Sequence, residues 1–297
     1  MTDHFYTLIT GASEGFGKAL AMECAKRKMN LILVALPGIE LHNLVKFIKN
    51  NYDVQVRAIE KDLCIEKSCY EIFNEVSALG LHVNILVNNA GNGSTGLFAE
   101  GNIQLFEKQI KLNVLATTVI THLFIDMLKK DSPSYILNVG SLASFFPLPK
   151  KQVYGATKSF IYYFSRSLRK EVKKDGVYVS VLCPGPMNTN MSVRSVIKNG
   201  NWLIRNSSFY PERIAPIAIN GLFKKKRVMV PGKLNNCYIL VFSLLPDFIK
   251  TFITNRSVKK LNSGVNTKVI LESSLPERST QRYNNSYNIL YSNEFNS

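Results

Sequence analysis

Three polar side chains of types that can transfer a proton lie close together in the middle of the chain. Tyr154 and Lys158 are four residues apart in a segment whose pattern predicts a helix to about residue 174, so they share one helix face. Ser141 follows the apolar run at residues 135–139, which predicts a strand. A serine at a strand end and a tyrosine–lysine pair on the next helix can converge on one small volume.

Together, these side chains could move a proton to or from a substrate oxygen. A free phenol titrates near pH ~10 and is a poor acid–base catalyst at neutral pH. A nearby ammonium group favours the phenolate and lowers the pKa of the tyrosine, so Tyr154 could protonate a carbonyl oxygen or deprotonate an alcohol. The Ser141 hydroxyl could hold that oxygen. In a purely structural interpretation, Tyr154 packs on the sheet and Lys158 is solvated, and the rest of the chain decides between the two.

A second motif stands between the first apolar run and the first helix pattern. Residues 11–17 read GASEGFG. Glycines there allow the backbone to approach a pyrophosphate, and the helix N-terminus offers N–H groups and a partial positive charge. We therefore expect a dinucleotide against this turn, with contacts from Gly11, Ser13, Glu14, Gly15, Phe16 and Gly17.

Three further stretches suit the adenosine side of a dinucleotide. Residues 35–38 (ALPG) end the second predicted strand without the acid that favours NAD or the arginine that favours NADP. Asp62, with Leu63 packing on the ring, could accept a bond from an adenine amino group, or Asp62 could cap the next helix. Small and amide residues follow the fourth strand at Asn88, Asn89, Ala90 and Gly91. They suit a strand end close to a cofactor, and the asparagines could also tie strand ends together.

Two more candidates come later in the chain. Asn113 lies inside the helix predicted at residues 104–129, where it marks either a local bend with a polar purpose or a tolerated polar position. Residues 184–189 (PGPMNT) end the sixth strand, where α/β folds place ligand contacts. The candidates there are Pro184, Gly185 and Thr189, whose hydroxyl could bond a carboxamide or phosphate. Residues 190–209 lack a clear period and are interpreted as a mobile loop.

The elements that must position these residues alternate between strands and helices. Strands are predicted at residues 5–10, 30–35, 54–59, 83–87, 135–139, 177–183 and 227–230. With the glycine-rich first turn, this alternation predicts an α/β fold of the doubly wound Rossmann type, with a seven-stranded parallel sheet and helices on both faces. Every candidate residue then lies at the carboxyl edge of the sheet.

Composition limits the alternatives. With 297 residues, 46% of them hydrophobic, the chain can bury a large core, and we expect one domain over residues 1–262. The five cysteines and four histidines show no metal-ligand spacing, and the N-terminus shows no signal-peptide pattern, so we expect no metal and a cytoplasmic protein. The net charge of +16 favours a solvated basic surface, and no nucleic-acid partner is expected.

The C-terminal part divides into two stretches. Residues 234–254 are strongly apolar, but the longest run, at 237–245, is far below the ~20 residues of a membrane span. This segment could cap an apolar substrate pocket, form an oligomer contact or lie on a membrane surface. Residues 263–297 are rich in Asn and Ser and are predicted to be a disordered tail.

Over roughly residues 4–232 the sequence resembles the short-chain dehydrogenase/reductase family. The matching motifs, in order, are TGASEGFG, Asp62, NNAG, Asn113, Ser141 with YGATK, and PGPMNT. The resemblance sets aside the purely structural interpretation of Tyr154 and the tolerated-position interpretation of Asn113.

The resemblance implies a role for each matching residue. Tyr154 is the proton donor or acceptor, and Ser141 orients the substrate oxygen. Lys158 lowers the pKa of Tyr154 and binds the nicotinamide ribose, while Asn113 holds a water that relays protons to Lys158. The glycines and Thr189 hold the cofactor, and Asn89 and Asp62 line its adenosine side.

The implied activity is NAD(P)-dependent hydride transfer between nicotinamide and a carbonyl or secondary alcohol, in the direction of a ketone reductase on a hydrophobic substrate. NADP(H) is favoured over NAD(H), although Leu36 stands where many NADP-using relatives carry arginine, and Glu14 where serine or a basic residue is frequent. The resemblance implies a homodimer or homotetramer through helices 104–130 and 152–174, with Phe160, Tyr163, Phe164 and Ser167 on the shared face. A non-catalytic nucleotide sensor and a membrane-surface-associated binding protein on the same fold remain alternatives.

Overall fold

Seven parallel strands form one sheet in the computed structural model, which describes residues 5–187 and 209–245. The strands are β1 (Phe5–Thr10), β2 (Asn30–Ala35), β3 (Val56–Glu60), β4 (His82–Asn88), β5 (Ser134–Val139), β6 (Val177–Leu182) and β7 (Val228–Met229). Their order is β3-β2-β1-β4-β5-β6-β7, so the direction of winding reverses between β1 and β4. Ligands of such sheets bind in the crevice at this reversal, beyond the carboxyl ends of the strands. The predicted doubly wound fold is confirmed.

Helices cover both faces of the sheet because strand side chains alternate in direction. The helices are α1 (Gly15–Lys26), α2 (Ile39–Asn51), α3 (Glu66–Ala78), α4 (Ile103–Ile110), α5 (Thr117–Lys130), α6 (Gln152–Val172), α7 (Pro211–Phe223) and α8 (Lys233–Leu244). Leu31 and Leu33 of β2 pack in a core with α1, α2 and α7, whereas Ile32 and Val34 pack in a second core with α3 and α5. Each fully buried aliphatic side chain of this kind stabilises the fold by roughly 1.5–3 kcal/mol.

The helix predicted at residues 104–129 is interrupted. α4 and α5 are joined by a π-helical turn, Lys111–Ala116, which contains Asn113. A π turn inserts an extra residue into the helical repeat and is frequent at functional sites. The asparagine therefore marks a local change of helix geometry.

By length and apolar composition alone, the stretch Ile103–Lys130 could cross a membrane. In this fold, however, Ile120, Phe124 and Leu128 are buried against the sheet. A helix that packs on the sheet in the core of a water-soluble protein can have the same length and apolar composition. The composition of this stretch is therefore weak evidence for a membrane span.

Several sequence-based predictions lie outside the described residues. These are the role of Thr189, the loop at residues 190–208, the second half of the apolar segment at 246–254 and the tail at 263–297. The strand predicted at 227–230 is only two residues long. The first half of the apolar segment forms α8, whose Tyr238 and Phe242 pack on Phe146 with ring centroids 5.0 and 4.6 Å apart.

A buried amide network ties the middle of the sheet to its helices. The Asn88 Nδ2 group donates to Thr121 Oγ1 at 2.9 Å and to Asn138 Oδ1 at 2.8 Å. Asn138 Nδ2 in turn donates to Ser165 Oγ at 2.9 Å. All of these groups are buried. If one side chain of the network were removed, its neighbours would lose a hydrogen bond that water could not replace.

Asn138→Ala should therefore lower the free energy of unfolding by about 1–3 kcal/mol, because it removes the acceptor of one buried amide hydrogen of Asn88 and the donor to Ser165 Oγ. Chemical denaturation measures the change. Asn51→Ala is the matched control, because that exposed side chain bonds only to the Phe47 carbonyl of its own helix. Equal stability of Asn138→Ala and the wild type would show that the network does not hold the strands.

Candidate active site

The structure brings Ser141, Tyr154 and Lys158 together at the carboxyl edge of the sheet. Ser141 stands two residues beyond the end of β5, and its Oγ accepts from the N–H of Ala143 at 3.1 Å, which starts a short 3-10 turn. Tyr154 and Lys158 lie in the first two turns of α6. The Ser141 hydroxyl lies near enough to the phenol of Tyr154 to lower its pKa, and Lys158 Nζ lies 5.9 Å from the centroid of the phenol ring. The expected convergence of the three side chains is present.

Lys158 is the most constrained of the three. Only 6% of the residue is exposed, and its Nζ donates to the carbonyl of Val139 at 2.9 Å. Gly91 lies so close that a Cβ there would be 3.2 Å from Lys158 Nζ and 3.0 Å from Asn113 Oδ1. Burial disfavours the ammonium form and lowers the pKa of Lys158 from 10.5 to about 8. This lysine can therefore gain or lose a proton near neutral pH.

The pKa of Tyr154 moves in the opposite direction from the one expected. Burial of the phenol raises its pKa, and hydrogen bonding from the Ser141 hydroxyl lowers it in part. The expected lowering by Lys158 is not seen. In this arrangement the cost of burying a phenolate exceeds the attraction of a lysine whose own charge is disfavoured.

A glycine that sequence reasoning missed packs on the tyrosine. Gly93 belongs to the loop after β4, residues 91–97, which we call the site loop. A Cβ at Gly93 would lie 2.9 Å from Tyr154 Cδ2, closer than real Cβ contacts allow. Only a residue without a side chain leaves the phenol ring in its present position. The signal in the sequence is a second glycine two residues after Gly91, the last residue of the NNAG motif.

Asn113 fixes the site loop. Its Nδ2 donates to the carbonyl of Asn92 at 2.9 Å and to Thr157 Oγ1 at 3.0 Å, and its Oδ1 accepts from the N–H of Asn92 at 3.0 Å. The side chain thus joins the π turn to the site loop and to α6. Both amide hydrogens are used inside the protein, and a water relay through Asn113 stays a prediction. Gln109, one turn earlier, donates to Ser94 of the same loop.

The glycine-rich turn lies directly against the end of β4. Gly11 and Gly15 have φ angles of +63° and +54°, which favour glycine. A Cβ at Gly17 would be 2.0 Å from the carbonyl oxygen of Gly11, and one at Gly11 would be 2.9 Å from the Cα of Ala90. Side chains at these two positions would fill the turn.

Asn89 and Thr10 tie β1 to β4 under that turn. Asn89 Nδ2 donates to the carbonyls of Thr10 and Gly11 at 2.9 and 3.0 Å. Thr10 Oγ1 accepts from the N–H groups of Asn89 and Ala90, both at 3.0 Å. The expectation that an asparagine here ties strand ends together matches the structure, whereas Thr10 was missed because a threonine inside a strand gives no distinctive signal.

The turn fits a pyrophosphate by its backbone. The residue before α1, Glu14, makes no side-chain cap, and the first turn of the helix has no acid, so neither competes for its first N–H groups. Glu14 is exposed and Ser13 is partly buried. The ring of Phe16 is buried in the core, so only the backbone of Phe16 can face a ligand.

On the adenosine side, Asp62 and Leu63 are engaged within the protein. Asp62 Oδ1 accepts from the N–H of Cys64 at 2.9 Å, and Leu63 is buried in the core. The helix-cap alternative for Asp62 is wrong, because the cap residue of α3 is Ile65 and no side chain caps it. The bond of Asp62 closes a turn before the helix.

Two polar residues that sequence reasoning missed, Glu60 and His42, lie beside the tip of β2. Glu60, the last residue of β3, accepts from the N–H of Gly38 at 3.1 Å and pairs with His42 Nε2 at 3.1 Å. Neither residue belongs to the second strand, where the ribose-reading acid was sought. Their approach follows from the pairing of β2 with β3, which a motif search along one strand does not show.

The turn after β6 closes the other side of the site. Pro184 and Gly185 are buried, and the carbonyl of Pro184 accepts from the N–H of Leu142 at 2.9 Å. This bond holds the turn after Ser141 to the end of β6. Beyond it, the aromatic contacts of Phe146 with α8 form an apolar wall five residues after Ser141.

Lys158→Met should stabilise the protein at pH 7. The folded-state pKa of about 8 lies below the ordinary value of 10.5, so below pH 8 folding must bury an ammonium group. That shift corresponds to at most about 3 kcal/mol, offset by roughly 1 kcal/mol for the lost bond to Val139. The advantage of the variant should shrink as pH rises from 8 towards 10.5, because the wild type then folds with a neutral lysine.

Thermal unfolding of both proteins across this pH range measures the effect, with Lys170→Met, an exposed lysine of the same helix, as the control. A variant that is less stable than the wild type at pH 7, or a difference independent of pH, contradicts the assignment.

Comparison with known proteins indicates the same family as the motifs that form the site. The family model described as short chain dehydrogenase matches residues 6–199. A very-long-chain 3-oxoacyl-CoA reductase of Mus musculus is 30% identical over 193 residues, which are 63% of this chain and 61% of that protein. An uncharacterized oxidoreductase of Staphylococcus epidermidis is 26% identical over 185 residues, 62% of this chain and 79% of that protein. The chain thus spans about three fifths of the length of the mouse reductase.

Solved structures share the fold. A 7beta-hydroxysteroid dehydrogenase superposes with a TM-score of 0.76 at 22% identity, covering 84% of this chain and 96% of that one. A short-chain dehydrogenase of Sphingobium yanoikuyae in complex with NADPH gives 0.70 at 24% identity, covering 88% and 96%. At such identities the likeness concerns the fold, whereas the family model covers more than half of the chain. By that match, and by the Ser–Tyr–Lys cluster beside a glycine-rich turn, this chain belongs to the short-chain dehydrogenase family.

Proposed function

We propose that the protein is an NAD(P)-dependent ketone reductase, which transfers a hydride between nicotinamide and a carbonyl or secondary alcohol. The observation that carries the proposal is the convergence of Ser141, Tyr154 and Lys158 beside a turn whose backbone fits a pyrophosphate. Gly11, Gly15 and Gly17 would hold the dinucleotide there, with Lys158 at its nicotinamide end.

Each side chain has one task in the reaction. The bound nicotinamide supplies the hydride. The phenol of Tyr154 gives its proton to the substrate oxygen, while the neighbouring Ser141 hydroxyl holds the same oxygen. The raised pKa of Tyr154 keeps its phenol protonated at neutral pH, which is the form that can donate to a carbonyl oxygen. Lys158 Nζ, with a pKa of about 8, can return a proton towards the phenolate after each turnover.

Tyr154→Phe should lower kcat for ketone reduction by ~10²-fold or more, because positioned proton transfer contributes ~10²–10⁴-fold. Nucleotide binding should stay near that of the wild type, since the ring is kept and only the hydroxyl is lost. Tyr163→Phe is the matched control, because Tyr163 lies on the same helix with 63% of its surface exposed. Unchanged kcat in Tyr154→Phe would remove the tyrosine from the mechanism.

We propose NADP(H) as the cofactor in preference to NAD(H). The tip of β2 lacks an acid of its own, and the Glu60 carboxylate beside it is engaged by Gly38 and His42. An acid at this place would bind the free ribose hydroxyl and repel a phosphate. The Sphingobium yanoikuyae relative, whose structure is in complex with NADPH, is compatible with this choice.

A hydrophobic substrate is proposed from the apolar wall of the site. Phe146, Tyr238 and Phe242 form an aromatic cluster next to the turn that carries Ser141. Burial raises the pKa of Tyr238, as expected for a phenol in apolar surroundings. The mouse relative is named for an apolar acyl substrate, which agrees with such a wall.

A homodimer or homotetramer is proposed through α4, α5 and α6. Large apolar side chains are exposed there: Ile103, Ile110, Leu115, Phe160 and Tyr163. Phe160 stacks on Phe164 with a centroid distance of 5.6 Å, which makes the exposed stripe continuous along α6. Such stripes on a water-soluble surface are typical of protein contacts. Sedimentation velocity should give a species of two or four chains, and a monomer at micromolar concentration would refute the proposal.

A further inference from the structure

Seven cationic side chains are concentrated at one end of the sheet, where α6 and α7 finish. The two segments are held side by side, because Arg169 Nη2 donates to the carbonyl of Lys225 at 2.7 Å and Ser180 Oγ donates to that of Lys226 at 2.6 Å. We call this surface the basic face. Its members are all exposed: Lys170, Lys173, Lys174, Lys224, Lys225, Lys226 and Arg227.

Within the part of the chain that the structure describes, the charges of the basic face are not paired with carboxylates. None of the six ion pairs found within residues 5–187 and 209–245 involves any of its seven members. The only acids in the two segments are Glu171 and Asp175. Elsewhere, basic residues do have partners, as in the pairs Arg27–Glu23 and Lys61–Glu71.

Tyr178 lies beside the basic face, and the positive charges there lower its pKa. Lys225 Nζ lies 3.8 Å from the ring centroid of Tyr178. The hydrogen bond and the charge of Lys225 lower the pKa of the Tyr178 phenol, and the charges of Lys173 and Arg169 contribute further. The cations of both segments thus act on one point, so they form one electrostatic surface.

An exposed apolar helix face lies on the same edge of the sheet. β7 is the edge strand, with the basic face at its amino end and α8 after its carboxyl end. Leu234 and Val241 are two turns apart on one side of α8 and are 53% and 58% exposed. The adjoining strip of the α8 surface packs on the protein through Tyr238 and Phe242. Exposed aliphatic side chains of this kind cost free energy in water unless a partner covers them.

We propose that the β7 edge binds the surface of an anionic membrane, with the basic face against lipid head groups and the Leu234–Val241 side of α8 in the head-group boundary. A helix with an apolar side next to clustered basic residues is typical of proteins that lie on membranes. A nucleic acid would account for the cations but not for the aliphatic side of α8. The proposal is independent of the reductase activity.

Vesicle sedimentation of the full chain tests the proposal, with phosphatidylcholine vesicles that contain either no phosphatidylserine or about a third of it. We expect binding only to the phosphatidylserine vesicles, decreasing with added salt. Replacing Lys174, Lys224 and Lys226 together by Gln should weaken binding by at least about tenfold, because each basic side chain near an anionic surface contributes on the order of a fivefold factor. Leu234→Ser with Val241→Ser should also weaken it.

The matched control replaces Lys46, Lys49 and Lys67 by Gln, which removes the same charge at the opposite edge of the sheet. An unchanged melting temperature shows that each variant is folded. The proposal is overturned by equal losses in the two lysine triples, by equal binding to both kinds of vesicle, or by no vesicle binding at all. Binding of duplex DNA at least as tight as binding of vesicles, lost in the same triple, would also overturn it and assign the basic face to nucleic acid.

Discussion

The ammonium group of Lys158 is buried where water cannot solvate it, and much of the site is arranged around this cost. Lys158 Nζ donates a hydrogen bond to the Val139 carbonyl, and the backbone of Gly91 lies close beside Nζ. Burial brings the pKa of Lys158 to about 8, which turns a permanent cation into a group that exchanges protons near neutral pH. Asn113 completes the arrangement, because its bonds to Asn92 and Thr157 keep the site loop against α6. Burial of Lys158 thus has two effects: it lowers the free energy of unfolding, and it gives the lysine a pKa at which it can exchange protons with Tyr154.

The central part of the sheet supplies the stability that offsets the cost of burying Lys158. Asn89 and Thr10 lock the ends of β1 and β4 together at the reversal of the sheet, and the glycine turn rests on them. The amides of Asn88 and Asn138 connect β4 to α5 and β5 to α6. Rigid support of this kind keeps reacting groups in position without rearrangement during the reaction.

The sequence alone predicts the fold and the main cluster, because both depend on local patterns. Apolar runs with a period of two or 3.6 residues mark the strands and helices, and Ser141, Tyr154 and Lys158 stand at strand and helix ends whose positions follow from the topology. Other features depend on distances across the fold. Gly93 matters because its backbone meets the ring of Tyr154, and Glu60 because β3 pairs with β2. The rise in the pKa of Tyr154 could not be predicted from spacing either, because it results from burial of the phenol beside a lysine, Lys158, whose own charge is disfavoured by burial.

The most direct test of the account is the melting temperature of the wild-type protein with saturating NADPH, NADP⁺, NADH and NAD⁺, each alone. A ligand that binds only the folded state stabilises it by ~2.7 kcal/mol at a hundred times its dissociation constant. The account predicts a clear rise with NADPH and NADP⁺ and a smaller rise with the other two. No rise with any of the four would mean that the glycine turn is not a working dinucleotide site, and the proposed reductase activity would fall with it.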